Sequence, residues 1–425
     1  MSTSNKFSTD TVGNLNGFFK EVYADKLQEL IPEGLKLVNM IKFIGKEKQG
    51  GNLFHQPVIL GMEHGVTFAS SDDDAFNLNP PVAGVIKDAQ VRGNPMVMRS
   101  LLGYTAASRS VGGKNAFMDA TKYIVANMLR SMSKKLEIHL LYGQKGYGVI
   151  ASAPSNSTIE TAKTLTIKPA EWAPGIWAGG EGMPIEIVSS GPTPVSRGEF
   201  TIASVDMDAR TVKVTSSAFQ AGVEADDVIY HKGARGNEFA GIHAILSNTG
   251  TLFNINASSY NLWKANTYDA AGPLSFDKIA KASSRAVEKG LDSKLTCFVN
   301  PRGWSDLLND QAALRRYDES YSSSQLQQGA KSLKFHSQNG ELEIIPSIYI
   351  KEGYCFMLAM EEFMRVGSSD ISFKRPGYGD EFFRDLENSA AYELRLFTDQ
   401  ALFCMAPGKN VLVTGVVNSD DVVTP

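Results

Sequence analysis

The chain has 425 residues, of which 43% are hydrophobic and 21% are charged, with a formal net charge of -4 at pH 7. A chain of this size and composition can bury two or three cores and is globular rather than disordered. Its near-neutral charge argues against a dedicated nucleic-acid binder. No apolar run approaches the roughly 18 residues of a membrane span, and the first ten residues, MSTSNKFSTD, lack the apolar core of a secretory signal. We therefore expect a globular protein that folds in the cytosol and makes no membrane contact.

Residues 1–50 are predicted to form an arm. One short amphipathic helix, which contains Phe18 and Phe19, ends near Pro32, and a second apolar stretch follows it. An arm of about 50 residues has an apolar stripe but no room for a core of its own. It must pack on the body of the chain or on a neighbouring molecule.

Residues 51–110 have the pattern of a long β-hairpin. Two β-prone segments, LFHQPVIL and PVAGVIKDAQV, flank the acidic stretch SSDDDAFNLNPP, and the bases Lys87 and Arg92 follow. Asp72, Asp73 and Asp74 could hold a hard cation, but three consecutive acids do not have the alternating spacing of a calcium loop. The pattern favours a solvated or partner-facing tip.

Residues 111–145 contain the longest helical pattern, which is predicted to run from Asn115 to Tyr142 and to end at Gly143. Its apolar stripe consists of Val125, Met128, Leu129, Met132, Leu136 and Leu140. The opposite, solvated face is predicted to hold Lys122, Asn127, Arg130 and Lys134. At 1.5 Å per residue the helix would be roughly 40 Å long. Such a helix either braces an extended molecule or forms the core of a two-layer enzyme domain.

The second half of the chain is predicted to be β-rich and then mixed. Residues 146–272 are rich in β-branched and turn residues, which indicates an inserted small barrel or sandwich. Ser275 and Gly290 bound a helix, and Asn300 with Pro301 begins another after the strand KLTCFV. A polar loop, YDESYSSSQLQQGAKSLKFHSQNG, precedes a series of strands that reaches the C-terminus. The fold class expected is α+β.

The sequence contains no local catalytic signature. It lacks GxSxG, HExxH, CxxC, the P-loop and a dinucleotide fingerprint, and its six histidines are scattered. The cysteines Cys297, Cys355 and Cys404 lie in unrelated apolar contexts, which favours buried side chains over a disulfide or a metal site. A triad of distant residues stays possible, but the pattern favours a structural protein over an enzyme. No cofactor or metal is expected.

The order of these parts resembles that of the major capsid proteins of tailed bacteriophages (Caudoviricetes), which have the HK97-like fold. The stretches that carry the resemblance are GIHAILSNTGTLFNINASSYNLWKAN, CFVNPRGWSDLL and ELEIIPSIYIKEGYCFMLAMEEFMRVGSSDISFKRPG. The resemblance implies an N-terminal arm at 1–50, an E-loop at 51–110, the spine helix of a peripheral domain at 111–145 and a β-rich insertion at 146–272. It places an axial domain at 273–345 and terminal strands shared by both domains at 346–425.

The function implied by the resemblance is self-assembly, through pentamers and hexamers, into the icosahedral shell that encloses phage double-stranded DNA. The protein would be made and assembled in the host bacterial cytoplasm and would reside in the virion. Its implied partners are a separate scaffolding protein, a portal protein, a possible decoration protein and packaged DNA through non-specific contacts. The alternative is an encapsulin-like cellular compartment with the same fold.

Two features found among these capsid proteins are not recognised in this sequence. Many relatives begin with a cleaved scaffolding segment, and Met1 favours its absence from this chain. Some relatives crosslink a loop lysine to an asparagine of a neighbour, but no partner for Lys87 can be matched. The candidate contacts between subunits are Phe18, Phe19, Asp72, Asp73, Asp74, Lys87, Arg92, Lys122 and Arg375.

Overall fold

A computed structural model describes the protein at residues 34–45, 53–72, 75–103, 120–152, 162–191, 193–215, 222–310, 333–337, 340–374, 383–386 and 389–421. In these ranges the α-helices are α1 (Leu37–Met40), α2 (Ala120–Tyr142), α3 (Pro174–Trp177), α4 (Ile242–Leu246), α5 (Phe276–Val287) and α6 (Pro301–Asn309). The strands are β1 (Phe43–Ile44), β2 (Phe54–Gly61), β3 (Val85–Val91), β4 (Asn94–Gly103), β5 (Gly148–Val149), β6 (Ala162–Thr166), β7 (Pro184–Val188), β8 (Ser196–Asp206), β9 (Thr211–Thr215), β10 (Val228–His231), β11 (Thr251–Leu252), β12 (Ile255–Asn256), β13 (Asn266–Gly272), β14 (Leu295–Val299), β15 (Leu333–Ser337), β16 (Gly340–Pro346), β17 (Cys355–Leu358), β18 (Phe363–Ser372), β19 (Phe383–Leu386), β20 (Ser389–Cys404) and β21 (Val411–Val416).

The first large sheet is built on the 16-residue strand β20. Along one edge, β4 pairs with β20 over ten consecutive residues in antiparallel register. Along the other edge, the first part of β20 pairs with β19 and the last part pairs with β18. The short strand β1 pairs with β18 in parallel. The sheet therefore joins three distant parts of the sequence: the start of the described chain, the strand after the hairpin and the C-terminal region.

The second large sheet has the order β13-β21-β17-β14-β16-β15 and carries α5 on one face. The predicted helix ends are confirmed: the Oγ of Ser275 accepts from the Lys278 N–H at 3.3 Å, and the Oδ1 of Asn300 accepts from the Arg302 N–H at 3.0 Å. Gly290 follows α5 with a φ of +86°, a conformation that glycine adopts without strain. One prediction was wrong, because part of the polar loop forms β15, which pairs with β16.

The inserted region forms a closed six-stranded antiparallel barrel. Its strand order is β5-β10-β7-β8-β9-β6, and a bridge between Ile150 and Ile167 joins the two end strands. Its strands end at His231, earlier than the predicted boundary at 272. The reason is that β13, which the sequence analysis placed in the insertion, pairs with β21 of the second large sheet.

The long helix α2 connects these bodies. Met128, Met132, Leu136 and Leu140 are buried, as the periodicity predicted, but Leu129 is 38% exposed. Lys134 was expected in solvent, yet it is half-buried and its Nζ donates to the backbone oxygen of Ala178. The loop after α3 lies against this face, so a long-range contact overrides the local pattern. The predicted start at Asn115 lies outside the described residues.

Candidate assembly surfaces

The hairpin of β2 and β3 is attached to the body at its base. The two strands pair from Phe54 opposite Val91 to Gly61 opposite Val85, with a shift of register between Ile59 and Gly61. At the base Ala89 and Val91 are buried, and the rings of Phe54 and Phe403 lie 5.4 Å apart. The backbone N–H of Gln90 donates to the oxygen of Phe253 at 2.9 Å. The base of the hairpin is thus part of the main core.

The described remainder of the hairpin, residues 59–72 and 75–86, exposes apolar side chains and is called the distal hairpin. Ile59 and Ile86 face each other across the strands and are 72% and 65% exposed. Further exposed apolar side chains of this segment are Met62, Val66, Phe68, Phe76, Leu78 and Val82. The described core of the chain does not cover them, which makes the distal hairpin a candidate surface for contact with another molecule.

The polar candidates on the hairpin are solvent-accessible. Asp72, Lys87 and Arg92 are exposed, whereas Asp73 and Asp74 lie outside the described residues. Asp88 accepts from the Nε2 of Gln90 at 2.9 Å and lies 2.7 Å from the Nδ1 of His55. The hydrogen bonds from Gln90 and then His55 lower the pKa of Asp88 below its ordinary value. The flank of the hairpin therefore has a carboxylate that keeps its charge at neutral pH.

A second exposed surface follows β4. Val97 and Leu101 are exposed on this strand, and Arg99 between them forms an ion pair with Glu393. The Nε of Arg395 lies 2.9 Å from the same carboxylate, and its hydrogen bond is the main cause of the lowered pKa of Glu393. Within the described part of the chain, β4 pairs only with β20. Its other edge presents backbone groups that another chain could pair with.

Two buried side chains hold the start of the described chain. Glu137 of α2 accepts three hydrogen bonds of 2.9 Å from the backbone N–H groups of Lys36, Leu37 and Val38, at the beginning of α1. Burial raises the pKa of Glu137, and these hydrogen bonds oppose that rise. Arg365 donates to the backbone oxygen of Ile41 at 3.0 Å. Residues 34–45 are thereby fixed to both the long helix and the first large sheet.

The remaining predicted contact residues, and the cysteines, say little about assembly. Phe18, Phe19 and Arg375 lie outside the described residues, and of Lys122 only its place in α2 is described. The three cysteines are free and buried, and the Sγ atoms of Cys297 and Cys355 lie 3.1 Å apart, which their separate sequence contexts did not indicate. In the described ranges no cluster of three or more acidic, histidine or cysteine side chains could hold a metal ion. No helix there is long and apolar enough to span a membrane.

Comparison with known proteins identifies the fold. No protein family matches the sequence, and no curated protein does. The chain is similar to the capsid asymmetric unit of cyanophage A-1(L), with a TM-score of 0.58 and 10% identity over 96% of this chain and 99% of that one. It is similar to the capsid of a native GTA particle (TM-score 0.52, 8% identity, 97% and 100% covered) and to a Mycobacterium phage Bobi structure (0.50, 11%, 97% and 100%). The protein therefore has the HK97-like capsid fold, of class α+β.

Proposed function

We propose that this protein is the major capsid protein of a tailed phage, and that it self-assembles through pentamers and hexamers into the icosahedral shell around double-stranded DNA. The observation that carries the proposal is the distal hairpin, whose apolar side chains are exposed in the isolated chain. The likeness to phage capsid structures, which spans nearly the whole chain, supports the same conclusion.

The energetics favour burial of this surface by a neighbouring subunit. Fully burying one Ile, Phe, Leu or Met side chain stabilises a contact by about 1.5–3 kcal/mol. Eight exposed apolar side chains on one projection can therefore contribute several kcal/mol to each contact, even after the cost of ordering them. Because the hairpin of one subunit contacts a different surface of the next, the contact is heterologous, and heterologous contacts close into rings when the rotation permits.

In this proposal residues 1–50 are the arm, 51–110 the E-loop, 111–145 the spine helix and 146–272 the insertion. Residues 273–345 form the axial domain, and 346–425 are shared between the axial and peripheral domains. The strand pairing supports the last assignment, because β17 and β21 belong to the second large sheet while β18, β19 and β20 belong to the first.

The partners follow from this role. We expect a separate scaffolding protein, a portal protein and non-specific contact with the packaged DNA. Assembly is expected in the host bacterial cytoplasm, with the chain carried in the virion and without enzymatic activity. A net charge of -4 suits a container, because a strongly basic inner surface would bind the packaged DNA tightly.

Density-gradient separation of particles from cells that produce the complete virion tests this function. After nuclease treatment, the chain should sediment together with protected double-stranded DNA. A particle that contains protein cargo and no DNA would identify an encapsulin-like compartment instead. A chain that stays at the top of the gradient would overturn the shell function altogether.

A further inference from the structure

A groove beside the long helix has no role in the assembly surfaces described above. It has a volume of about 540 Å³ and lies between α2, the loop that joins α3 to β7, and the first residues of the described chain. Its apolar wall includes Leu35, Leu129 and Met183. Its charged lining is mainly basic, with Arg130, Lys134 and Lys135 against the single acid Glu181.

The two lysines are half-buried, and their partners are weak ones for ammonium groups. The Nζ of Lys134 donates to a backbone oxygen, and that of Lys135 lies 2.6 Å from the Sδ of Met183 and 5.3 Å from the centre of the Tyr147 ring. Burial lowers the pKa of Lys134 to about 8 and that of Lys135 to about 7. Within the described ranges, Glu181 is the carboxylate that affects Lys134, and it acts through space without an ion pair. An anionic group beside a partly desolvated ammonium group favours its charged form.

The chain that precedes the groove has the matching chemistry. Leu35 lines the groove, and the residues just before Gly34 are QELIPE, which contain the acids Glu29 and Glu33 and the apolar Leu30 and Ile31. A residue spans at most about 3.5 Å, so the Cα of Glu33 lies within about 7 Å of that of Leu35. The segment therefore begins at the groove and combines apolar and acidic side chains, as the groove combines apolar and basic ones.

We propose that residues 29–33 of the same chain occupy this groove, with the carboxylates of Glu29 and Glu33 beside Lys134 and Lys135. The docking depends only on the groove and the adjoining sequence, whereas its role in assembly rests on the proposed function. In that role, the groove fixes the position and direction in which residues 1–28 leave the subunit towards a neighbour. Glu137 and Arg365 would then hold the chain on one side of Leu35, and the groove would hold it on the other.

Carbodiimide crosslinking of the full-length chain tests the docking, because this reagent joins a carboxylate to a contacting amine as an amide. The treated protein is separated on a denaturing gel, and the single-chain band is digested and analysed by mass spectrometry. Peptides that join Glu29 or Glu33 to Lys134 or Lys135 are expected in this band. The ion pair between Lys409 and Asp292, at 2.9 Å, is the internal positive control.

The double variant E29Q/E33Q should lose these crosslinks and keep the control crosslink. Absence of the predicted peptides from the unsubstituted chain, with the control formed, would overturn the inference. Their presence only in bands of two or more chains would also overturn it, because the segment would then come from a neighbour. Electron microscopy of the same sample separates the two proposals: shells without the crosslink contradict only this inference, and the crosslink without shells contradicts only the proposed function.

Discussion

Replacement of both Ile59 and Ile86 by serine should impair assembly and leave the subunit folded. The two side chains are 72% and 65% exposed, so the fold of the isolated chain loses little when they change, about 0.5 kcal/mol or less at each site. If a neighbour covers them, each contributes about two-thirds of the 1.5–3 kcal/mol of a fully buried isoleucine, or about 2–4 kcal/mol for the pair. Because 1.4 kcal/mol is a tenfold change in an equilibrium constant, the assembly threshold should rise by roughly one and a half to three orders of magnitude.

Light scattering as a function of protein concentration measures the threshold, and denaturant unfolding measures the stability of the subunit. Val195→Ser is the matched control, because Val195 is 59% exposed and belongs to the barrel region rather than the hairpin. An unchanged threshold in the double variant would refute the assignment of the distal hairpin as a contact surface. A loss of subunit stability as large as the loss in assembly would refute the premise that these side chains are free in the isolated chain.

Three further predictions concern the spine, the hairpin tip and acid stability. Met132→Asp should abolish soluble folded subunit, since it buries a carboxylate at a position that is 3% exposed. The control Leu129→Asp, one turn away and 38% exposed, should fold. Equal yields of the two variants in a solubility assay would contradict the assignment of the buried face of α2. Changing Asp72, Asp73 and Asp74 together to Asn should reduce assembly at low salt without a change in the melting temperature, and normal shells with unchanged salt sensitivity would show that the tip is merely solvated. Burial lowers the pKa of His243 from 6.5 to about 3, so at this site only the unfolded chain binds a proton between these pH values, and the stability of the fold falls as the pH drops through this window. His243→Phe should flatten this fall of stability, measured by urea unfolding at several pH values. A stability profile identical to that of the unsubstituted chain would contradict the prediction.

Local signals predicted much of the secondary structure. The caps at Ser275 and Asn300 are short-range hydrogen bonds between a side chain and the backbone a few residues further on, so the sequence alone specifies them. The turn-rich pattern of the insertion also predicted a small barrel or sandwich, and the strands β6 and β9 there bury alternate residues. Features of this kind depend on neighbours in sequence.

The missed features depend on neighbours in space. Lys134 has its observed environment because the loop after α3 lies on α2, and no periodicity within the helix contains that contact. Glu137 stands in an apolar run, LEIHLLY, where a lone acid is a detectable anomaly, but its partners are backbone groups about 100 residues earlier. Cys297 and Cys355 meet only because β14 pairs with β17.

The state of the purified full-length chain is the most direct test of the central claim. Sedimentation velocity and negative-stain electron microscopy, with and without a co-expressed scaffolding protein, should show pentamers and hexamers or closed shells whose abundance rises with concentration. A single compact species of 46.2 kDa that persists at high concentration in both conditions would contradict the claim that this chain forms a shell.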